Sequence, residues 1–174
     1  MHGTYETIDE RPTLRFERRI GHPIDAVWRA ITEPEGLEHW FPSRVEVDLR
    51  KGGSMTFTFR ELKLAGQPST MPGEVTDLEP PQLFAFYWGD DHLIFELEPI
   101  DGGAACRLRF TAVLDARDKA ARDAAGWHVC LDRLVQHLDG ADAAAPGSEP
   151  TDEWRGLYEE YERRGLPTGA GLPT

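Results

Sequence analysis

Hydrophobic and polar positions repeat along this chain with two different periods, and the changes of period mark its elements. From Asp118 to Asp139 the period is helical. At about 100° per residue, Ala120, Ala124, Trp127, Leu131, Leu134, Val135 and Leu138 fall on one arc, and Arg122, Asp132, Arg133 and Gln136 fall opposite. A helix of that span is about 33 Å long and crosses a small domain, so its apolar stripe needs a large surface to cover it. Asp123 and Cys130 sit at the margin of the arc. Gly126 lies inside the helix, where glycine costs about 1 kcal/mol relative to alanine; a tight crossing or a void beside the helix would account for it.

Before this helix, Leu14, Phe16 and Ile20 alternate with Arg15, Glu17 and Arg19, the pattern of a strand with one buried face. Arg18 falls on the buried side and reads as a solvated strand end, while residues 1–12 carry no period and read as an N-terminal extension. Pro23 stands like a first helical residue, with Ile24, Val27, Trp28 and Ile31 following at helical spacing. Pro34 ends that helix and opens another, in which Leu37, Trp40 and Phe41 share a face before Pro42.

From Arg44 to Leu114 the period becomes two, and six strands joined mainly by hairpins are expected. A turn at RKGG places Leu49 opposite Met55, Val47 opposite Phe57 and Val45 opposite Phe59. A turn at Asp101-Gly102 pairs Ile100 with Gly103, Leu97 with Cys106, Phe95 with Leu108 and Leu93 with Phe110, and sets Glu96 against Arg107 as a solvated charge pair. Between these hairpins, strands over 71–79 and 82–88 join at Pro80-Pro81. With Leu78 opposite Leu83, Val75, Phe84, Phe86 and Trp88 share one face; LFAFYW is apolar on both faces, the mark of a central strand or of one covered on both sides. Residues 61–70 read as a loop or a frayed hairpin end. After the long helix, 141–150 (ADAAAPGSEP) is a small-residue linker. Trp154, Leu157, Tyr158 and Tyr161 then mark a short amphipathic helix over 151–164 that docks on the domain or on a second subunit, and 165–174 (GLPTGAGLPT) reads as a disordered tail.

A chain of 174 residues holds one domain with a real core. No apolar run approaches the roughly 20 residues of a membrane span, and the opening MHGTYETIDERP has no basic region followed by an apolar stretch, so a cytoplasmic protein is expected. Cys106 and Cys130 have no ligand-like spacing and suit a reducing compartment. A net charge of -12 argues against nucleic acid as a general partner.

The residues also resemble a known family. HPIDAVWRAITEPEGLEHWF, the RKGG turn, GEVTDLEPPQLFAFYW and GWHVCLDRLVQHLDG are similar, in order and spacing, to the activator of Hsp90 ATPase homologue-like branch of the START/Bet v 1-like superfamily, often labelled SRPBCC. The resemblance covers Leu14 to Gly140 and extends weakly to Trp154–Tyr161. It implies an α+β helix-grip fold over 13–140: a curved seven-stranded antiparallel sheet wrapped around the long C-terminal helix, with two short helices after the first strand. It also implies a hydrophobic cavity between sheet and helix, which relatives use for lipids, hormones or polyketides, while some members bind a chaperone. In the common pattern the last strand closes a Thr-rich run with a histidine; here RLRFTAVLD has none.

The cavity lining implied by this resemblance is Trp40, Phe57, Phe59, Phe86, Trp88, Phe95, Phe110, Trp127, Leu131 and Leu134, with His39, His92 and Asp123 as candidate polar groups. Any one of these side chains reads as simple interior filling, but large aromatics on both walls are hard to close-pack, so the set as a whole is expected to line a cavity. His128 and Asp132, one turn apart, lack a third ligand and read as surface residues, so neither a metal nor a cofactor is expected. No Ser or Cys has a placed His and acid, and Gly52-Gly53 and Gly102-Gly103 are hairpin turns and not phosphate loops. Three functions remain. The first is a non-enzymatic carrier of a small hydrophobic molecule. The second is a polyketide cyclase-like enzyme, which would need Asp123 paired with His39 or His92. The third is a chaperone-binding module, although the namesakes' second, partner-gripping domain is not part of this sequence. The helix at Trp154 would close a homodimer as readily as a monomer.

Overall fold

The computed structural model describes residues 1–64, 67–141, 145–147 and 150–171, and only the backbone at 60–64 and 67–68. The elements are β1 (Thr4–Ile8), β2 (Arg11–Ile20), α1 (Ile24–Thr32), α2 (Pro34–Leu37), β3 (Arg44–Val47), β4 (Ser54–Leu64), β5 (Gln67–Glu79), β6 (Leu83–Trp88), β7 (Asp91–Ile100), β8 (Ala105–Val113), α3 (Ala120–Leu138) and α4 (Asp152–Arg163). The strands form one antiparallel sheet in the order β1-β2-β8-β7-β6-β5-β4-β3. The connection through α1 and α2 carries the chain from β2 to β3 at the opposite edge, and α3 packs against the sheet in the helix-grip arrangement.

Local sequence explains the elbow. Glu33 is extended (φ -85°, ψ 136°), as the residue before Pro34 must be, and this ends α1. Trp40 and Phe41 then turn inward. Trp40 is fully buried, and its indole N–H donates to the Ala30 carbonyl at 2.9 Å, so its one polar atom is satisfied. On β2, Leu14, Phe16 and Ile20 are buried as the alternation requires.

Two hairpin registers differ from expectation by two residues. Val45 pairs with Phe57 and Val47 with Met55, leaving Leu49 exposed in a longer loop. A side chain on Gly53 would collide with the Asp48 carbonyl, and the Gly52 N–H donates to the Val75 carbonyl at 2.8 Å, so the turn is tied to β5. Likewise Ile100 pairs with Ala105, Leu97 with Leu108, Phe95 with Phe110 and Leu93 with Ala112, because a 3-10 turn at Asp101–Gly103 replaces the two-residue turn. Arg107 therefore faces Glu98 and not Glu96, and it joins Arg109, Glu17 and Glu98 in a network on the outer surface. Leu78 pairs with Phe84, one residue off, and a register shift between Val75 and Asp77 absorbs the difference. Phe84 and Phe86 still face inward, while Tyr87 is 45% exposed. Residues 61–64 and 67–70 continue β4 and β5; 65–66 lie outside the described residues.

The chain ends are more ordered than the sequence suggests. Within 1–12, β1 adds an eighth strand to the seven expected. Arg18 is 7% exposed, donating to the Met1 carbonyl at 2.6 Å and to Asp132 at 3.1 Å, so its inward position is satisfied by the chain start and by α3. After α4, Leu166 is buried, the Ala121 N–H donates to the Pro167 carbonyl, and the Ala170 N–H donates to the Asp118 carbonyl. These contacts pin residues 165–171, expected to trail, along α3; 172–174 lie outside the described residues. The linker is described only at 141, 145–147 and 150.

Candidate functional site

The interior between the sheet and α3 is filled by aromatic rings. Phe86, Phe95 and Phe110 stack in sequence (centroids 6.0 and 4.6 Å apart), Trp127 meets Phe110 edge-on at 5.1 Å, and Trp40 meets Phe95 at 5.9 Å. Offset and edge-on contacts let large rings close-pack where flat stacking would leave gaps. Open space begins where this cluster ends. A pocket of about 1020 Å³ lies on the flank of α3, beyond Trp88 and Trp127. One wall is Phe59, Met71 and Trp88 at the rim of the sheet. The second is the α3 flank with Asp123, Gly126, Trp127 and Cys130, and the third is residues 145–147 with Pro150, Thr151 and Trp154.

Gly126 is the small residue that keeps the α3 wall open. A Cβ there would meet only the Trp154 indole nitrogen, at 3.8 Å. Trp154 is fixed by the start of α4, where the Thr151 hydroxyl caps the helix by accepting from the Trp154 N–H at 3.2 Å, and by Tyr158 stacked on its ring.

One end of the pocket is charged. Lys119 reaches Asp115 at 2.6 Å, Asp91 at 2.8 Å and Asp123 at 3.8 Å. Asp91 is 4% exposed, and besides Lys119 it accepts from the Asp115 N–H at 2.8 Å. Burial opposes the Lys119 charge, but hydrogen bonds to Asp115 and Asp91 hold its ammonium above the usual lysine range. Asp123 pairs with Arg122 at 2.7 Å, yet burial pushes its carboxyl up. Burial also raises the Cys130 thiol to about 12, which leaves it a neutral wall atom and not a nucleophile. No group of three His, Cys, Asp or Glu side chains among the described residues could hold a metal ion.

Residues 21–139 match the family described as Activator of Hsp90 ATPase homolog 1-like protein. The chain belongs to that family. Among solved structures, it is similar to a conserved protein from Enterococcus faecalis (23% identity, 93% of this chain and 89% of that chain, TM-score 0.73). It is also similar to CalU16 from Micromonospora echinospora (22%, 93% and 92%, TM-score 0.68) and to a protein from Bordetella parapertussis (25%, 97% and 94%, TM-score 0.69). These likenesses establish the helix-grip fold. No curated protein matches the sequence.

In this Activator of Hsp90 ATPase homolog 1-like chain, Phe59, Trp88, Trp127 and Asp123 are brought together at the pocket. Trp40, Phe57, Phe86, Phe95, Phe110, Leu131 and Leu134 pack in the interior, each 1% exposed or less. His39 stacks on His137 at 4.0 Å, and His92 meets the Thr76 hydroxyl at 2.8 Å; neither joins Asp123. His128, expected at the surface, is 5% exposed, with Nδ1 2.9 Å from the Tyr161 hydroxyl, because α4 and the N-terminus cover that side of α3. Sequence reasoning missed Lys119, Asp91 and Trp154 as pocket residues. Gly126 beside Trp127 was the one local sign of open space, and the wall that completes the pocket lies outside the matched 21–139.

Proposed function

We propose that this chain binds a small, mostly apolar molecule in the pocket on the flank of α3, as a carrier or sensor and not as an enzyme. The observation that carries this reading is an opening of about 1020 Å³ faced by Trp88, Trp127 and Trp154, at the upper end of the roughly 300–1,000 Å³ usual for small-molecule sites. The interior rings are buried and in contact with one another, and the opening lies beyond them on the flank of α3. An acid–base enzyme reading finds less support, because His39 and His92 lie away from Asp123. The family's name suggests a chaperone partner. However, a chaperone-type surface would need an exposed apolar patch, and the large hydrophobics exposed among the described residues are Met1, Leu49 and Tyr87.

Tryptophan fluorescence tests the reading directly. Neutral aromatic and aliphatic probes such as 1-naphthylmethanol and dodecanol are expected to change emission saturably, since three tryptophans face the pocket. Gly126→Leu, which projects into the opening beside Trp127 and Trp154, is expected to weaken the response while the protein stays folded by circular dichroism. An unchanged titration in folded Gly126→Leu, or no saturation with any neutral probe, would rule the pocket out as the site.

A further inference from the structure

We infer that the molecule bound in this pocket carries a cationic amine on its apolar body, seated between Asp123 and the indole rings. The inference rests on the pocket being the ligand site and adds the chemical class of the ligand.

The charges at the pocket's polar end are unequally matched. Each cation on the described lining is already held by carboxylate: Lys119 by Asp115, Asp91 and Asp123, Arg122 by Asp123, and Arg133 by Glu153 at 2.6 Å. Arg122 Nη1 also donates to the Gly171 carbonyl at 3.2 Å. Among the described residues a carboxylate or phosphate entering this space would find no free cation, and it would come up against Asp91, Asp115 and Asp123. An ammonium finds the reverse. Asp123 spends Oδ1 on Arg122, whereas Oδ2 has Lys119 only at 3.8 Å and no hydrogen bond among the described residues. Asp90, also on the lining, is exposed and has no ion pair among the described residues. The apolar walls favour the same charge. Indole faces attract cations through the ring quadrupole, and Trp88, Trp127 and Trp154 all border the space.

Three probes sharing one ring system separate the alternatives: 1-naphthylmethylamine, 1-naphthylmethanol and 1-naphthylacetate, titrated into the full chain by isothermal calorimetry. The amine is expected to bind about ten-fold or more tightly than the alcohol, with the acid weakest. In Asp123→Asn the ratio of amine to alcohol affinity is expected to fall to about one. The ranking in the unaltered protein decides the matter even if that variant misfolds. An alcohol that binds as well as the amine, or an acid that binds best, overturns the inference and leaves the pocket reading standing. If none of the three saturates, the pocket reading itself fails and takes the inference with it.

Discussion

Gly126 shows how much one residue can say about a helix. Mid-helix glycine is destabilising for want of a side chain and for its backbone freedom; here the missing side chain leaves pocket space between α3 and Trp154. Gly126→Ala should therefore raise stability by about 0.5–1 kcal/mol in urea unfolding, because a Cβ meets nothing closer than 3.8 Å. A destabilised Gly126→Ala would show that the glycine serves a close packing contact and not an opening. Arg18 makes the opposite point. Alternation correctly put it on the inner face of β2, but nothing near it in sequence supplies the Met1 carbonyl and Asp132 that make an inward arginine tolerable.

At the scale of elements, α4 and the N-terminus act as one unit on the outer face of α3. Tyr161 is fully buried; its hydroxyl accepts from the Gly3 N–H at 2.8 Å and meets His128 Nδ1 at 2.9 Å, and burial pushes the phenol up to about 12. Tyr161→Phe leaves both partners without this oxygen and should cost about 1–3 kcal/mol. The measurement is a urea midpoint together with faster hydrogen exchange at the Gly3 amide. No loss of stability would mean that the two partners find water instead. The hairpins belong to this scale too. A two-residue slip keeps every side chain on its own face, so the alternation of Val45, Val47, Met55 and Phe57 fits either register. The turn decides between them, and the turns here are set by the tie from Gly52 to Val75 and by the 3-10 segment after Ile100.

For the whole molecule, titration links the parts. Burial holds His92 and His137 below the usual 6.5, with repulsion from Arg11 and His39 adding to it. The unfolded chain therefore takes up more protons than the folded one as pH falls through that value, and stability falls with it. Lower still, Lys119 holds Asp115 below 3.8, and His128 and Arg18 hold Asp132 below it although burial opposes this; their contribution is lost as pH drops through those depressed values. Asp123, raised by burial, acts in the opposite sense and softens the decline between the two steps, since protonation relieves its buried charge. Urea midpoints should thus be lower at about pH 5.5 than at about pH 7.5, and His92→Gln with His137→Gln should flatten that difference. A midpoint that rises toward pH 5.5 would contradict the assignment.

Seven of the eight strands, the helices, the inward face of β2, the elbow at Pro34 and the fold family were legible in the chain's own pattern, whereas β1 and the inward face of β6, apolar on both sides, were not. Each legible feature follows from a period or a backbone constraint acting over a few residues. Tertiary structure alone decided which aromatics fill the interior and which border open space. It also decided the placement of Arg18 and His128, the pairing at each hairpin, and the pocket wall supplied by residues 145–147, Pro150, Thr151 and Trp154. Those outcomes depend on segments far apart in the chain meeting on two sides of α3, and the period of one helix records only that a face is covered, not by what.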